Sequence, residues 1–204
     1  LPDSIGAPSI ASLTANGTSA WAATSNGWVL EVRAGHVVSS LGQIRSIERL
    51  LVRHDTLHIV ARRGYWTLPP NAQRPSRQSL KVSFRLPGQQ TQADIGRGLE
   101  DASFGPEGHL WVLDAHLGPG KRQPDGSVNF VGVPRGSGSK GWWNHLRFGP
   151  DGTALLHGRK TVYRFEPNSG RLTPLLDRGG HFYFNRGIAY VPSTDGVARL
   201  AWGD

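Results

Sequence analysis

Short apolar stretches alternate with glycine turns along the whole chain, and one phrase recurs: an apolar strand, a Gly turn, a second strand, then a polar stretch. Its instances are "GTSAWAATSNGWVLEV" (17–32), "DTLHIVARRGYWTLPP" (55–70), "GHLWVLDAHLGPGKRQ" (108–123), "GTALLHGRKTVYRFEP" (152–167) and "GVARLAWGD" (196–204), or alternatively "RGIAYVPSTDGVARLAW" (186–202). Starts at 17, 55, 108, 152 and about 187 give spacings of 38, 53, 44 and 35 residues. A helical 3, 4 spacing occurs only in "GQIRSIERLLVRH" (42–54), through Ile44, Ile47, Leu50 and Leu51. The neighbouring phrases have strands at that point, so a strand with its flanking loop is the reading, with a short helix as the alternative.

The mean spacing, about 42 residues, falls in the range of one β-propeller blade. A four-stranded antiparallel blade cannot bury both of its faces alone, so blades stack around an axis and cover one another. The expected fold is all-β: a β-propeller of about five four-stranded antiparallel blades, forming a single domain over residues 1–204. The last blade is short, and the N-terminal "LPDSIGAPSIASLT" (1–14) is expected to supply its missing strand. An open sheet fragment of a larger propeller and a β-sandwich are the alternatives.

Composition supports the turn-rich reading: 27 Gly and 14 Pro make about one residue in five of the 204. No apolar run reaches the roughly 18–20 residues that cross a bilayer, so no transmembrane segment is expected. The chain has neither Met nor Cys, which removes disulfides, thiolate metal sites and a Cys nucleophile. Without an initiator Met, it is expected to begin after a processed segment or to be a piece of a longer protein. Charge is unevenly placed. Residues 45–97 hold nine Arg and Lys81 against Glu48, Asp55 and Asp94, which accounts for seven of the eight net positive charges.

The phrase "SAWAATSNGWVLEVRAGHV" resembles the repeat of two-component regulator propellers, and "TALLHGRKTVYRFEPNSGRLTPL" resembles it again through its aromatic-x-acid-Pro-x-x-Gly ending. "FGPEGHLWVLD" and "FGPDGT" are similar to turns in NHL-type and lyase-type propellers. A weaker resemblance is to tachylectin-like five-bladed propellers, through "GSGSKGWWNHLRFGPDG", where Trp143 and Asn144 stand in place of the usual Asp. The first resemblance implies a sensor ectodomain, the last a lectin. Gluconolactonase-type propellers use axial carboxylate and Asn ligands, for which Glu100, Asp101 and Asn144 are the nearest candidates.

The residues themselves give little support to catalysis. No Gly-x-Ser-x-Gly elbow occurs to anchor a hydrolase triad. On one strand His54 and His58 lie about 13 Å apart, too far to share a metal, whereas Asp114 and His116 lie about 7 Å apart. Trp21, Trp111 and Trp202 recur in equivalent strands and read as blade packing. Trp142, Trp143, Asn144 and His145 follow the flexible "PRGSGSKG" and are expected in a loop whose exposed ring stacks on a sugar. The basic segment 61–92 joins Arg62, Arg63, Arg74, Arg77, Lys81 and Arg85 to Tyr65 and Trp66, with Pro69, Pro70 and Pro75 marking an extended connection. Guanidinium groups beside aromatic rings suit phosphate, sulfate or carboxylate. "NGT" (16–18) matches a glycosylation acceptor and equally a Gly turn.

These readings converge on a non-catalytic recognition propeller, a sensor ectodomain or envelope-assembly subunit outside the cytoplasm (periplasmic, secreted or cell-surface). Its expected ligand is an acidic glycan, a lipid headgroup or a protein partner, held by Arg62, Arg63, Tyr65, Trp66, Arg74 and Arg77. A carbohydrate-binding lectin centred on Trp142 and Trp143 is the alternative, and a metal-dependent lactonase or lyase is the second. Nucleic acid is a less favoured partner, and no cofactor or metal is expected.

Overall fold

The computed structural model describes residues 9–17, 19–86, 89–94, 98–131, 143–149, 151–158, 161–177, 183–185, 188–193 and 196–201. Among them lie twenty-one strands and no helix, arranged in five antiparallel sheets. The first sheet runs in the order β1 (Ile10–Asn16), β2 (Ser19–Thr24), β3 (Trp28–Arg33), β4 (His36–Gln43). The second runs β5 (Ile47–Arg53), β6 (Thr56–Ala61), β7 (Gly64–Leu68), β8 (Ser76–Gln78). A hairpin of β9 (Lys81–Leu86) and β10 (Gln89–Asp94) follows. It joins the outer edge of the third sheet, formed by β11 (Leu99–Phe104), β12 (Leu110–Asp114), β13 (Gly118–Arg122) and β14 (Ser127–Phe130). The fourth comprises β15 (His145–Phe148), β16 (Ala154–His157), β17 (Thr161–Glu166) and β18 (Arg171–Asp177). The fifth comprises β19 (Tyr183–Asn185), β20 (Ile188–Ser193) and β21 (Gly196–Ala201).

The recurring phrase is thus one structural position. With 186–202 and not 196–204 as the last, its five instances open β2, β6, β12, β16 and β20, the second strand of each sheet. The spacing of 53 residues between the second and third instances is wide because the β9–β10 hairpin is inserted there. The helical alternative for 42–54 does not occur: Ile47–Arg53 is a strand.

Two sequence expectations change. Ile10–Thr14 belong to β1, paired with β2 from Ile10↔Thr24 to Asn16↔Ser19, so that part of the N-terminal segment completes the first sheet and not the last. Residues 1–8 lie outside the described ones. His54 is not on a strand with His58. It shares a two-residue turn with Asp55, both at positive φ (45° and 58°), between the paired Arg53 and Thr56. Two left-handed residues match the twist of the flanking strands, which favours this turn in tight hairpins.

The chain forms two compact units, Leu1–Lys81 with Gln92–Leu99 and Val82–Thr91 with Glu100–Asp204. In the first, Ala23, Val29 and Leu41 pack against Ile47, Leu50, Leu57, Ile59, Ala61 and Leu68. Leu57, Ile59 and Ala61 are alternate residues of β6, so one face of that strand enters the core. In the second, Trp111 and Leu113, alternate on β12, meet Leu146, Ala154, Leu156 and Phe165. Each fully buried Leu or Phe contributes about 1.5–3 kcal/mol, enough to hold one sheet face on another.

Hydrogen bonds also link successive sheets. Among the described residues, β5 and β15 open their sheets and have no strand on one side, which leaves edge amides to be satisfied. The Ser12 hydroxyl accepts from the Leu50 amide at 3.0 Å. The Asp101 carboxylate accepts from the Leu146 amide, also at 3.0 Å, and from the Arg147 guanidinium.

Candidate functional site

The basic segment builds the outer half of the second sheet. Arg62 and Arg63 form the β6–β7 turn, both exposed, and Arg62 Nε donates to Glu48 at 2.8 Å. Along β7 the side chains alternate. Tyr65 is buried, its hydroxyl 2.5 Å from His58 Nδ1 and its ring stacked on the imidazole at 5.9 Å. Trp66 points to the other face, where it packs against the first unit's core. Arg77, its cross-strand neighbour on β8, lays its guanidinium over the Trp66 ring at 5.8 Å and donates to the Arg63 carbonyl at 3.1 Å. Gly64 makes room for this layer, since a Cβ there would lie 3.1 Å from the Trp66 ring and 3.3 Å from Arg77 Nε. Pro69, Pro70, Pro75 and the exposed Arg74 occupy the connection between β7 and β8.

This geometry brings Arg63, Trp66 and Arg77 together, with Arg62 beside them on the same turn. It removes Tyr65 from the expected ligand-contacting set, because its ring is engaged inside the sheet by His58. The side chain of Arg85 lies outside the described residues.

The expected sugar loop is placed differently. Trp142 lies outside the described residues, and Trp143 is buried at 8% exposure. It meets Tyr163 edge-on at 5.8 Å and lies over Gly158. Trp143 is therefore a core residue of the second unit and offers no exposed stacking face. Asn144 donates its amide to the His157 carbonyl at 2.9 Å. His145, half-buried, stacks on His157 at 5.8 Å with the rings 3° from parallel. Its Nδ1 is 3.6 Å from Asp101.

Asp101, a candidate metal ligand from the sequence, is 2% exposed and engaged by Leu146 and Arg147. Asp114 likewise turns inward on its own chain, accepting from the His116 and Leu117 amides at 2.8 and 3.0 Å. Among the described residues, no three His, Asp or Glu side chains converge as a metal set.

One feature of the second unit escaped the sequence reading. The turns 105–109 and 149–153, from "FGPEGH" and "FGPDGT", have the same hydrogen bonds, Gly105 N to His109 O at 3.0 Å and Gly149 N to Thr153 O at 2.9 Å. With the β17–β18 turn they line a cleft of about 410 Å³, walled by Trp111 and Phe148 and bordered by Glu107, Asp151, Glu166 and Lys121. The first unit has a cleft of about 400 Å³ built alike, with Trp21, Glu31, Arg33 and Asp55 on the β1–β2 and β5–β6 side. Trp21 pairs with Glu31 across its sheet as Trp111 pairs with Lys121. The repeated "FGP" turns were the available signal.

No protein-family model matches the sequence, and no curated protein does. Solved structures do match. The extracellular domain of BT4673 from B. thetaiotaomicron superposes with a TM-score of 0.68 at 14% identity, over 93% of this chain and 26% of that one. YCF48 bound to D1 peptide gives 0.62 at 11% identity, over 91% of this chain and 61% of that one. The Neurospora crassa Pan2 WD40 domain gives 0.64 at 10%, over 91% and 56%. This chain spans about a quarter of the length of the BT4673 domain. The likeness establishes the fold: the chain is a β-propeller and its five sheets are blades.

Proposed function

We propose that this propeller is a non-catalytic recognition module working outside the cytoplasm, as a sensor ectodomain or a subunit of an envelope assembly. It binds an anionic ligand or an acidic protein segment at the outer edge of blade two, through Arg62, Arg63, Arg74 and Arg77. The observation that carries this reading is the Arg77 guanidinium held over the Trp66 ring at 5.8 Å and tied to the Arg63 carbonyl. A guanidinium fixed in this way offers its remaining donors as a planar fork, and little side-chain freedom is lost on binding a carboxylate, sulfate or phosphate. No acidic residue occurs from Thr56 to Ala93, so the only carboxylate described at these arginines is that of Glu48 on Arg62.

Two fold relatives support the class of function. BT4673 is described through its extracellular domain in a one-component or hybrid two-component system, and YCF48 is seen with a bound peptide. The direct test is retention on immobilised heparin and on a poly-glutamate peptide, comparing the native chain with an Arg62, Arg63, Arg74 and Arg77 to Gln variant. Loss of both interactions in a folded variant is the expected result. Unchanged retention on both overturns the site.

A further inference from the structure

The cleft between blades three and four has the opposite sign to the protein around it. Glu107, Asp151 and Glu166 face a single ammonium, Lys121, in a chain whose net charge is +8. These acids are not equally available. Glu107 is engaged by Lys121 at 3.2 Å and lies 3.5 Å from His109 Nε2. Asp151 caps its own turn through Thr153 and lies 3.5 Å from Arg164. Glu166 is half-buried and its carboxylate accepts only from the neutral Ser169 hydroxyl, at 3.0 Å, among the described residues. It stands at the end of an apolar-walled cleft, with Arg171 as its cross-strand neighbour but none of the described cations within ion-pair distance.

The walls define what kind of cation fits. The rings of Trp111 and Phe148 lie 5.4 Å apart and tilted by 48°, and Pro106 and Pro167 extend the apolar surface. A hydrated metal ion gains nothing from such walls. An alkyl stem ending in an ammonium or guanidinium buries its methylenes against the half-buried Phe148 ring and the two prolines, Trp111 being a buried core residue behind them, and presents its charge to the carboxylate. The volume of about 410 Å³ lies within the range of small-ligand sites, roughly 300–1,000 Å³.

The first unit supplies the contrast. Its cleft keeps the shape, with Trp21 in the position of Trp111, but Arg33 lies 2.6 Å from Glu31 and the Asn16 amide reaches Asp55 at 2.5 Å. There the half-buried Glu31 is ion-paired, and the exposed Asp55 has a neutral amide donor. Of two clefts built on one plan, the cleft of blades three and four alone carries a half-buried carboxylate that forms no ion pair among the described residues.

We infer that the cleft bounded by Trp111, Phe148 and Glu166 binds an aliphatic ammonium or guanidinium group, from a free polyamine or from a basic side chain of a partner. This goes beyond the anionic site of blade two and does not depend on it. Titration calorimetry with spermidine, and separately with acetyl-Gly-Lys-Gly-amide, tests it on the intact chain. Glu166→Gln is expected to weaken binding about fivefold or more, and Lys121→Gln, which removes the competing cation, to tighten it about threefold. Glu31→Gln, in the other cleft, leaves affinity unchanged. Binding of spermidine alone assigns a free amine, and binding of the peptide assigns a partner's side chain. Absence of binding by both probes overturns the inference, as does equal affinity in Glu166→Gln and the native protein. Heparin retention of the same variants stays at the native value, so failure here is distinguishable from failure at blade two.

Discussion

Ser12 and Asp101 hold the same place in the repeat, each reaching from the first strand of one blade to an edge amide of the next, Leu50 and Leu146, at 3.0 Å. One is a neutral hydroxyl and the other a carboxylate that also holds Arg147, whose side chain is 14% exposed. Removing the hydroxyl loses a net interaction of about 1 kcal/mol. Removing the carboxylate leaves a largely buried guanidinium without its counter-charge, which costs about 3–5 kcal/mol. Ser12→Ala and Asp101→Ala are therefore expected to differ several-fold in urea midpoint shift. Equal shifts would show that the Arg147 charge is satisfied elsewhere.

Two glycines at positive φ separate space from backbone conformation. A Cβ added at Gly17 (φ 57°) would meet nothing within 4 Å, whereas one added at Gly27 (φ 92°) would lie 2.5 Å from the Ile44 carbonyl oxygen. Gly17→Ala carries only the left-handed cost of roughly 1–2 kcal/mol. Gly27→Ala adds a backbone clash and is expected to lose about 3 kcal/mol or more. Thermal denaturation of the two variants checks the order, and a Gly17→Ala loss as large as that of Gly27→Ala contradicts it.

Much of the fold was legible because Gly turns and apolar alternation act locally. The phrase alignment located the second strand of four blades and left the last between 186–202, which holds β20, and 196–204, which holds β21. The packing of Trp21 and Trp111 was legible from their recurrence in equivalent strands, whereas the places of Trp66 and Trp143 were not. Trp66 and Trp143 both sit near glycine and polar neighbours, yet one lies under Arg77 at a blade edge and the other fills space over Gly158. The cleft was hidden for a related reason: "FGPEG" and "FGPDG" are evident turns, but nothing in either shows that they face one another. Asp101 finds its partners 45 and 46 residues away, beyond any local pattern.

The burial of Trp143 gives a direct check. Trp143→Ala is expected to cost about 3–5 kcal/mol, the range for a large core aromatic. Trp142→Ala carries the remaining sugar test, because a glycan that needs only the Trp142 ring still binds a folded Trp143→Phe variant. Full stability of Trp143→Ala contradicts its place in the core.

The blade-two edge depends on guanidinium shape as well as charge. Lys at position 77 keeps the charge but loses the planar fork and the guanidinium tie to the Arg63 carbonyl. Arg77→Lys is expected to reduce affinity for a poly-glutamate peptide about three- to tenfold, with the melting temperature unchanged. Identical affinity would reduce the site to a point charge.

General attraction of a basic protein to polyanions must be separated from a local site. Changing Arg62, Arg63, Arg74 and Arg77 to Gln lowers the net charge from +8 to +4. Changing the exposed Arg33, Arg164, Arg171 and Arg199 to Gln does the same elsewhere on the chain. Heparin affinity should fall with rising salt for the native protein, because bound counterions are exchanged for guanidinium groups. The blade-two variant is expected to lose affinity and to flatten the slope of log affinity against log salt by roughly one for each contact removed. The control variant keeps most of the slope, because its charges act only through the overall field. Two equal losses would mean that net charge alone draws the polyanion, and the Arg77–Trp66 layer would then be part of the blade's packing.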